Sequence, residues 1–147
     1  MHESLRERRM TKVRWTEDLA TGDATIDEQH RELLRRMDDV LSANDAGNRK
    51  DRIIQILNYL EQYVEFHFDS EEAAMKRSRY PQAKDHMQQH EMFRWKLREL
   101  LGEVGRSGAE LGLIISTNRL MIDWLLNHIR KSDVELARFL KVAGERV

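Results

Sequence analysis

The 147-residue chain contains no cysteine. That excludes disulfides, a thiolate metal site and a cysteine nucleophile, and it fits a reducing compartment. Proline occurs once, at Pro81, so almost nothing interrupts long helices. Neither sign of charge dominates: 25 basic and 26 acidic residues leave a formal net charge of -1. This balance gives no general electrostatic reason to expect nucleic acid or an anionic membrane as partner. No apolar run approaches the roughly 20 residues that span a bilayer. The basic N-terminus, Met1 to Arg9, is not followed by the apolar stretch of a secretory signal, so a cytoplasmic location is expected.

The length suits one compact domain, and there is no repeat, low-complexity tract or linker. Residues 1–12 stand apart in composition, with Arg6, Arg8, Arg9 and Lys12 among few apolar residues. They read as an accessory extension: a loose terminus, a start assigned too early with Met10 as the true start, or an arm that docks a separate protein partner. Residues 13–147 then form the domain.

What is present is helix. Charged residues make up 35% of the chain, as expected of helices with solvated outer faces. Thr25-x-x-Glu28 reads as a capping box that opens a first helix to about Asn44, with Gly47 beyond it. Asn48 can cap a second helix to about Arg77, and Pro81 suits the first turn of a third that fades at Gly102 and Gly105. Ser107-x-x-Glu110 opens a fourth helix to about Lys131, and Ser132-x-x-Glu135 a short terminal helix to about Val142. The expected fold is all-α: an up-down-up-down four-helix bundle with an N-terminal arm and a short C-terminal helix.

Each long segment carries a stripe at alternating three- and four-residue spacing. The first stripe is Ile26, His30, Leu33, Met37 and Val40; the second is Ile53, Leu57, Leu60, Val64, His67, Glu71 and Met75. The third is His86, His90, Phe93, Leu97 and Leu100, and the fourth is Ile114, Thr117, Met121, Trp124 and His128. His30 opens its helix, His67 and Glu71 close theirs, His86 and His90 open theirs, and His128 closes the last. In an antiparallel bundle those positions share one end, so every histidine except His2 converges at one depth. A lone histidine on an apolar stripe is usually a hydrogen-bonded core residue; five at one end point to a metal centre.

Spacing adds detail. His67-x-x-x-Glu71 and His86-x-x-x-His90 are i, i+4 pairs that place both side chains on one helix face. Asp133 follows His128 by five residues, about 140° away on an ideal helix, and joins the site only if the helix ends or distorts between them. Five imidazoles and two carboxylates are too many for one tetrahedral zinc and suit two bridged ions. The set favours a transition metal over calcium or magnesium without separating iron from manganese, cobalt, nickel, copper or zinc. No Glu-x-x-His occurs, the nearest match being Asp27-x-x-His30, which argues against a ferritin-like oxidase.

From Trp15 to about Phe139 the chain resembles the bacterial hemerythrins. The resemblance rests on Ile26-Asp27-Glu28-Gln29-His30, His67-Phe68-x-x-Glu71-Glu72, Tyr80-Pro81 with His86-x-x-x-His90-x-x-Phe93, and Trp124-x-x-x-His128-Ile129 with Asp133. It implies two iron ions bridged by an oxo or hydroxo group, Glu71 and Asp133. His86, His90 and His128 would hold one iron, and His30 and His67 the other, where one position stays open. It also implies reversible binding of molecular oxygen, for storage, delivery or buffering, by a protein that is not an enzyme. The alternatives are oxygen or redox sensing through a separate protein partner, or a di-iron peroxidase or nitric oxide-reducing activity. Leu33, one turn beyond His30, and Trp124 and Leu125, one turn before His128, are candidates for an apolar oxygen pocket, with plain core packing as their other reading.

Overall fold

The structure, a computed structural model, describes residues 13–41, 49–107 and 111–147. Its elements are a single 3-10 turn, Glu17–Leu19, then α1 (Ala24–Leu41), α2 (Arg49–Ser78), α3 (Ala83–Ser107) and α4 (Leu111–His128). A π-helical turn, Ile129–Asp133, runs directly into α5 (Val134–Val142). Helices α1 and α3 each pack against both α2 and α4, closing a four-membered ring, and α5 leans on α2. No helix among the described residues is long and apolar enough to cross a membrane. The extension, residues 1–12, lies outside the described residues, as do Asn44, Gly47 and Asn48.

The stripes fold inward as their periodicity requires. Leu34, Met37, Leu57, Leu60, Phe68, Phe93, Leu97 and Leu125 belong to one core cluster, and each leucine so buried contributes about 2 kcal/mol. Ahead of α1, residues 13–20 lie along the bundle: the Val13 N–H donates to Asp38 at 2.9 Å, and the Arg31 guanidinium covers the Trp15 ring at 4.0 Å.

Several local expectations need correction. The cap of α1 is Asp23, not Thr25. The Asp23 carbonyl accepts the Asp27 N–H at 3.0 Å, and its carboxylate accepts the Ile26 N–H at 2.9 Å, which is the N-cap role. Thr25 lies inside the helix. Pro81 sits in the turn ahead of α3 rather than in its first turn. Helix α3 continues through Gly102 and Gly105 to Ser107, because Leu100 and Val104 on the same segment are buried and packing outweighs the roughly 1 kcal/mol cost of each glycine. Residues 108–110, the rest of the second capping box, lie outside the described residues. Ser132 caps nothing: the helix does not break there but widens into the π turn.

The fourth stripe is shifted by one residue at two positions. Asn118 and Leu125 are the buried residues, while Thr117 and Trp124 are half-buried. The Asn118 side chain donates to the Met37 carbonyl at 3.1 Å, tying the first half of α4 to the second half of α1.

The α2–α3 connection is fixed by a Schellman turn. The Tyr80 N–H returns to the Met75 carbonyl at 3.0 Å and the Arg79 N–H to that of Lys76 at 3.3 Å. Arg79 holds a left-handed φ of 55°, and Tyr80 and Met75 pack in a second small cluster with Leu136 and Leu140 of α5.

Candidate metal centre

All seven residues singled out from the sequence meet at one end of the bundle, none more than 4% exposed. The first turns of α1 and α3 bring His30, His86 and His90, and the last turns of α2 and α4 bring His67, Glu71 and His128. Asp133 arrives by the π turn. One extra residue in that turn compensates for the five-residue spacing, and the Asp133 carboxylate lies 3.1 Å from His128 Nε2.

The two carboxylates divide their oxygens between two sets of histidines. Glu71 Oε1 lies 3.3 Å from His86 Nε2 and 3.0 Å from His90 Nε2, whereas Oε2 lies 3.5 Å from His67 Nε2. Asp133 Oδ1 lies 3.1 Å from His86 Nε2 and from His128 Nε2, whereas Oδ2 lies 2.7 Å from His30 Nε2. Two overlapping groups of donor atoms result: His86, His90 and His128 with both carboxylates, and His30 and His67 with the same two carboxylates.

Hydrogen bonds behind the rings fix three of the tautomers. His67 Nδ1 pairs with Gln29 Oε1 at 2.6 Å, His128 Nδ1 with Gln89 Oε1 at 2.6 Å, and His90 Nδ1 with Glu72 Oε2 at 2.7 Å. Each acceptor can only receive a proton, so each Nδ1 carries one and each Nε2 turns a lone pair inward. The Ser132 hydroxyl donates to Gln89 at 2.9 Å and so orients that amide. His67, His90 and His128 Nε2, Glu71 Oε2 and Asp133 Oδ1 are buried without a hydrogen-bond partner. Lone pairs converging on carboxylate oxygens in a dry core repel one another unless cations lie between them. The donor set therefore fits metal ions.

The charge balance agrees. Burial and the neighbouring Asp133 raise the Glu71 carboxyl, but His67, His86 and His90 outweigh them and hold it at about 2. Burial likewise raises Asp133, and His128, His30 and His86 pull it well below the usual carboxylate range. Burial drives His67 down to about 4. It also lowers His86, yet Asp133 and Glu71 more than restore that ring, to about 10. The pocket therefore holds two buried carboxylates.

Residues 21–140 match the family model described as the Hemerythrin HHE cation binding domain. The chain belongs to the hemerythrin family. It is 30% identical to the bacteriohemerythrin of Methylococcus capsulatus over 125 residues, covering 84% of this chain and 93% of that protein. It is 30% identical to hemerythrin subunit alpha of Lingula reevii over 119 residues, covering 81% and 87%. A crystal structure of wild-type hemerythrin superposes with a TM-score of 0.79 at 28% identity, covering 87% of this chain and 97% of that one.

Sequence reasoning missed the outer acceptors Gln29, Glu72 and Gln89. A signal was available: each adjoins a site residue in sequence, Gln29 beside His30, Glu72 beside Glu71 and Gln89 beside His90. One residue on, a side chain points about 100° around the helix, toward the neighbouring helix whose histidine it serves. Of the pocket candidates, Leu33 and Leu125 are buried in the main core cluster. Trp124 is half-buried and stacks on His128, ring centroids 4.9 Å apart and nearly parallel. Phe68, part of the matching motif but given no role from the sequence, stacks on His90 at 3.8 Å.

Proposed function

We propose that this protein binds molecular oxygen reversibly at two iron ions, held by His86, His90 and His128 on one side and by His30 and His67 on the other. Glu71 and Asp133 bridge the pair. The observation that carries this reading is the division of carboxylate oxygens: each carboxylate turns one oxygen to each histidine set. When bound, such an iron pair supplies a reversible two-electron site for oxygen.

The residues of the chain do the rest. Three imidazoles serve one set and two the other, so the smaller set leaves room for a ligand. Gln29 and Gln89 hold His67 and His128 in the tautomer that presents Nε2. Leu33 and Leu125, each 1% exposed, wall the pocket and exclude water and proton donors, which favours release of oxygen over its reduction. Trp124 covers His128 on the three-histidine side, and Tyr80, ring centroid 6.5 Å from that of His86, flanks the same side. The absence of cysteine fits the reducing interior of a cell, where iron is kept reduced.

The test begins with anaerobic, iron-loaded protein. Admitting oxygen produces a visible charge-transfer band, and purging with argon abolishes it over repeated cycles. Steady oxygen consumption in the presence of a reductant, with no recoverable band, overturns reversible binding in favour of catalysis.

A further inference from the structure

The three histidines supported from behind are not supported alike. His67 and His128 face neutral amides, Gln29 and Gln89. His90 faces a carboxylate, Glu72, and the same oxygen, Glu72 Oε2, also takes an ion pair from Arg94 Nη1 at 3.1 Å. We propose that Arg94 is a positioning residue that sets the electron-donating strength of His90 through Glu72, and thereby the redox balance of the metal pair; this rests on the di-iron reading above.

The surroundings of Arg94 support the assignment. It is 6% exposed, unusual for an arginine whose other partners lie at the surface. Its Nε meets Glu65 at 3.1 Å, Nη1 meets Glu91 at 2.6 Å, and Nη2 meets Asp69 at 3.4 Å. One guanidinium thus serves four carboxylates, with Arg98 sharing only Glu65 at 3.2 Å. The guanidinium also lies over the Phe68 ring at 5.1 Å, and Phe68 stacks on His90. Arg94 therefore touches both groups that hold the His90 ring.

A carboxylate behind a ligating imidazole makes it a stronger donor than an amide does. A guanidinium on the same oxygen withdraws part of that effect. Without Arg94, Glu72 presents its full charge to His90 and the more oxidised metal pair is favoured. Without the Glu72 charge, the more reduced pair is favoured. Packing alone predicts no such opposition of sign.

The experiment measures midpoint potentials of the iron-loaded full chain. Arg94→Gln lowers the potential and Glu72→Gln raises it, each changing the ratio of oxidised to reduced protein at a fixed applied potential about tenfold, the scale of outer-shell effects at metal sites. Arg94→Lys, which keeps the charge, stays within about twofold of wild type. Arg94→Met keeps the stem over Phe68 and replaces Arg94→Gln if that variant does not fold. Shifts of the same sign in the Arg94 and Glu72 variants, or an unchanged potential in either, overturn the proposal. Iron is counted in wild type first: fewer than two ions per chain defeats the di-iron reading itself, a failure distinct from that of Arg94.

Discussion

The two ends of the bundle are built on the same stripes but filled with opposite chemistry. At one end Leu57, Leu97, Leu100, Val104 and Ile114 interlock as an ordinary apolar core. At the other, five histidines and two carboxylates occupy equivalent inward positions, none above 4% exposed. The first end gains free energy from burial by itself. The second loses it, because lone pairs and charges are brought together away from water, and only metal ions reverse that balance. The apolar end thus supports a site that is unfavourable until loaded.

The largest test of that contrast is removal of iron. Chelation should cost more than about 4 kcal/mol of stability relative to protein at a thousandfold excess of metal over its dissociation constant, while leaving a folded helical bundle. Circular dichroism with denaturant titration measures both; a chain that unfolds outright on chelation breaks the comparison. Next, Leu57→Ala at the apolar end should cost about 3 kcal/mol in loaded and metal-free protein alike, with iron content unchanged. A loss confined to one form would show that the ends are not separable.

A smaller effect, on the order of 1–3 kcal/mol, concerns pH in the metal-free protein. His67 is depressed to about 4, so its contribution is present above 6.5 and lost as pH falls from there through 4. His86 is raised to about 10, so its contribution is complete below 6.5 and lost as pH rises through 10. Metal-free stability should therefore peak near pH 6.5 and fall on both sides. Bound iron blocks both titrations and flattens the curve; Tm recorded from pH 4 to 10 in the two forms shows whether it does. The smallest effect lies between α2 and α3: Arg79→Gly should stabilise the protein by about 1 kcal/mol, because glycine adopts the left-handed conformation without a Cβ clash.

The fold and the convergence of the five histidines and Glu71 were legible in the sequence because both follow from helical period, whereas Asp133 needed a distortion that the period does not supply. His30, Leu33 and Met37 share a face by spacing alone, and the alternation of helix direction carries His30, His67, His86 and His128 to one end. What failed was whatever depends on local competition or on neighbours. Helix α4 has Ile114, Ile115, Leu120, Met121, Ile122, Trp124, Leu125 and Leu126 around most of its circumference, so its pattern does not fix which face is inward, and Asn118 and Leu125 were displaced by Thr117 and Trp124. Asp23 lost to Thr25 because both are good caps and only the path of residues 21–23 decides. The π turn was half-visible: the five-residue gap between His128 and Asp133 called for a distortion, but its kind depends on α5 packing against α2. Gln29, Glu72 and Gln89 were hidden because each serves a histidine on another helix.

Native mass spectrometry of anaerobically reconstituted protein tests the central claim most directly. Two iron ions per chain at saturation is the predicted result. A single ion at saturation, or none, would contradict a pocket in which Glu71 and Asp133 join two histidine-bound metals.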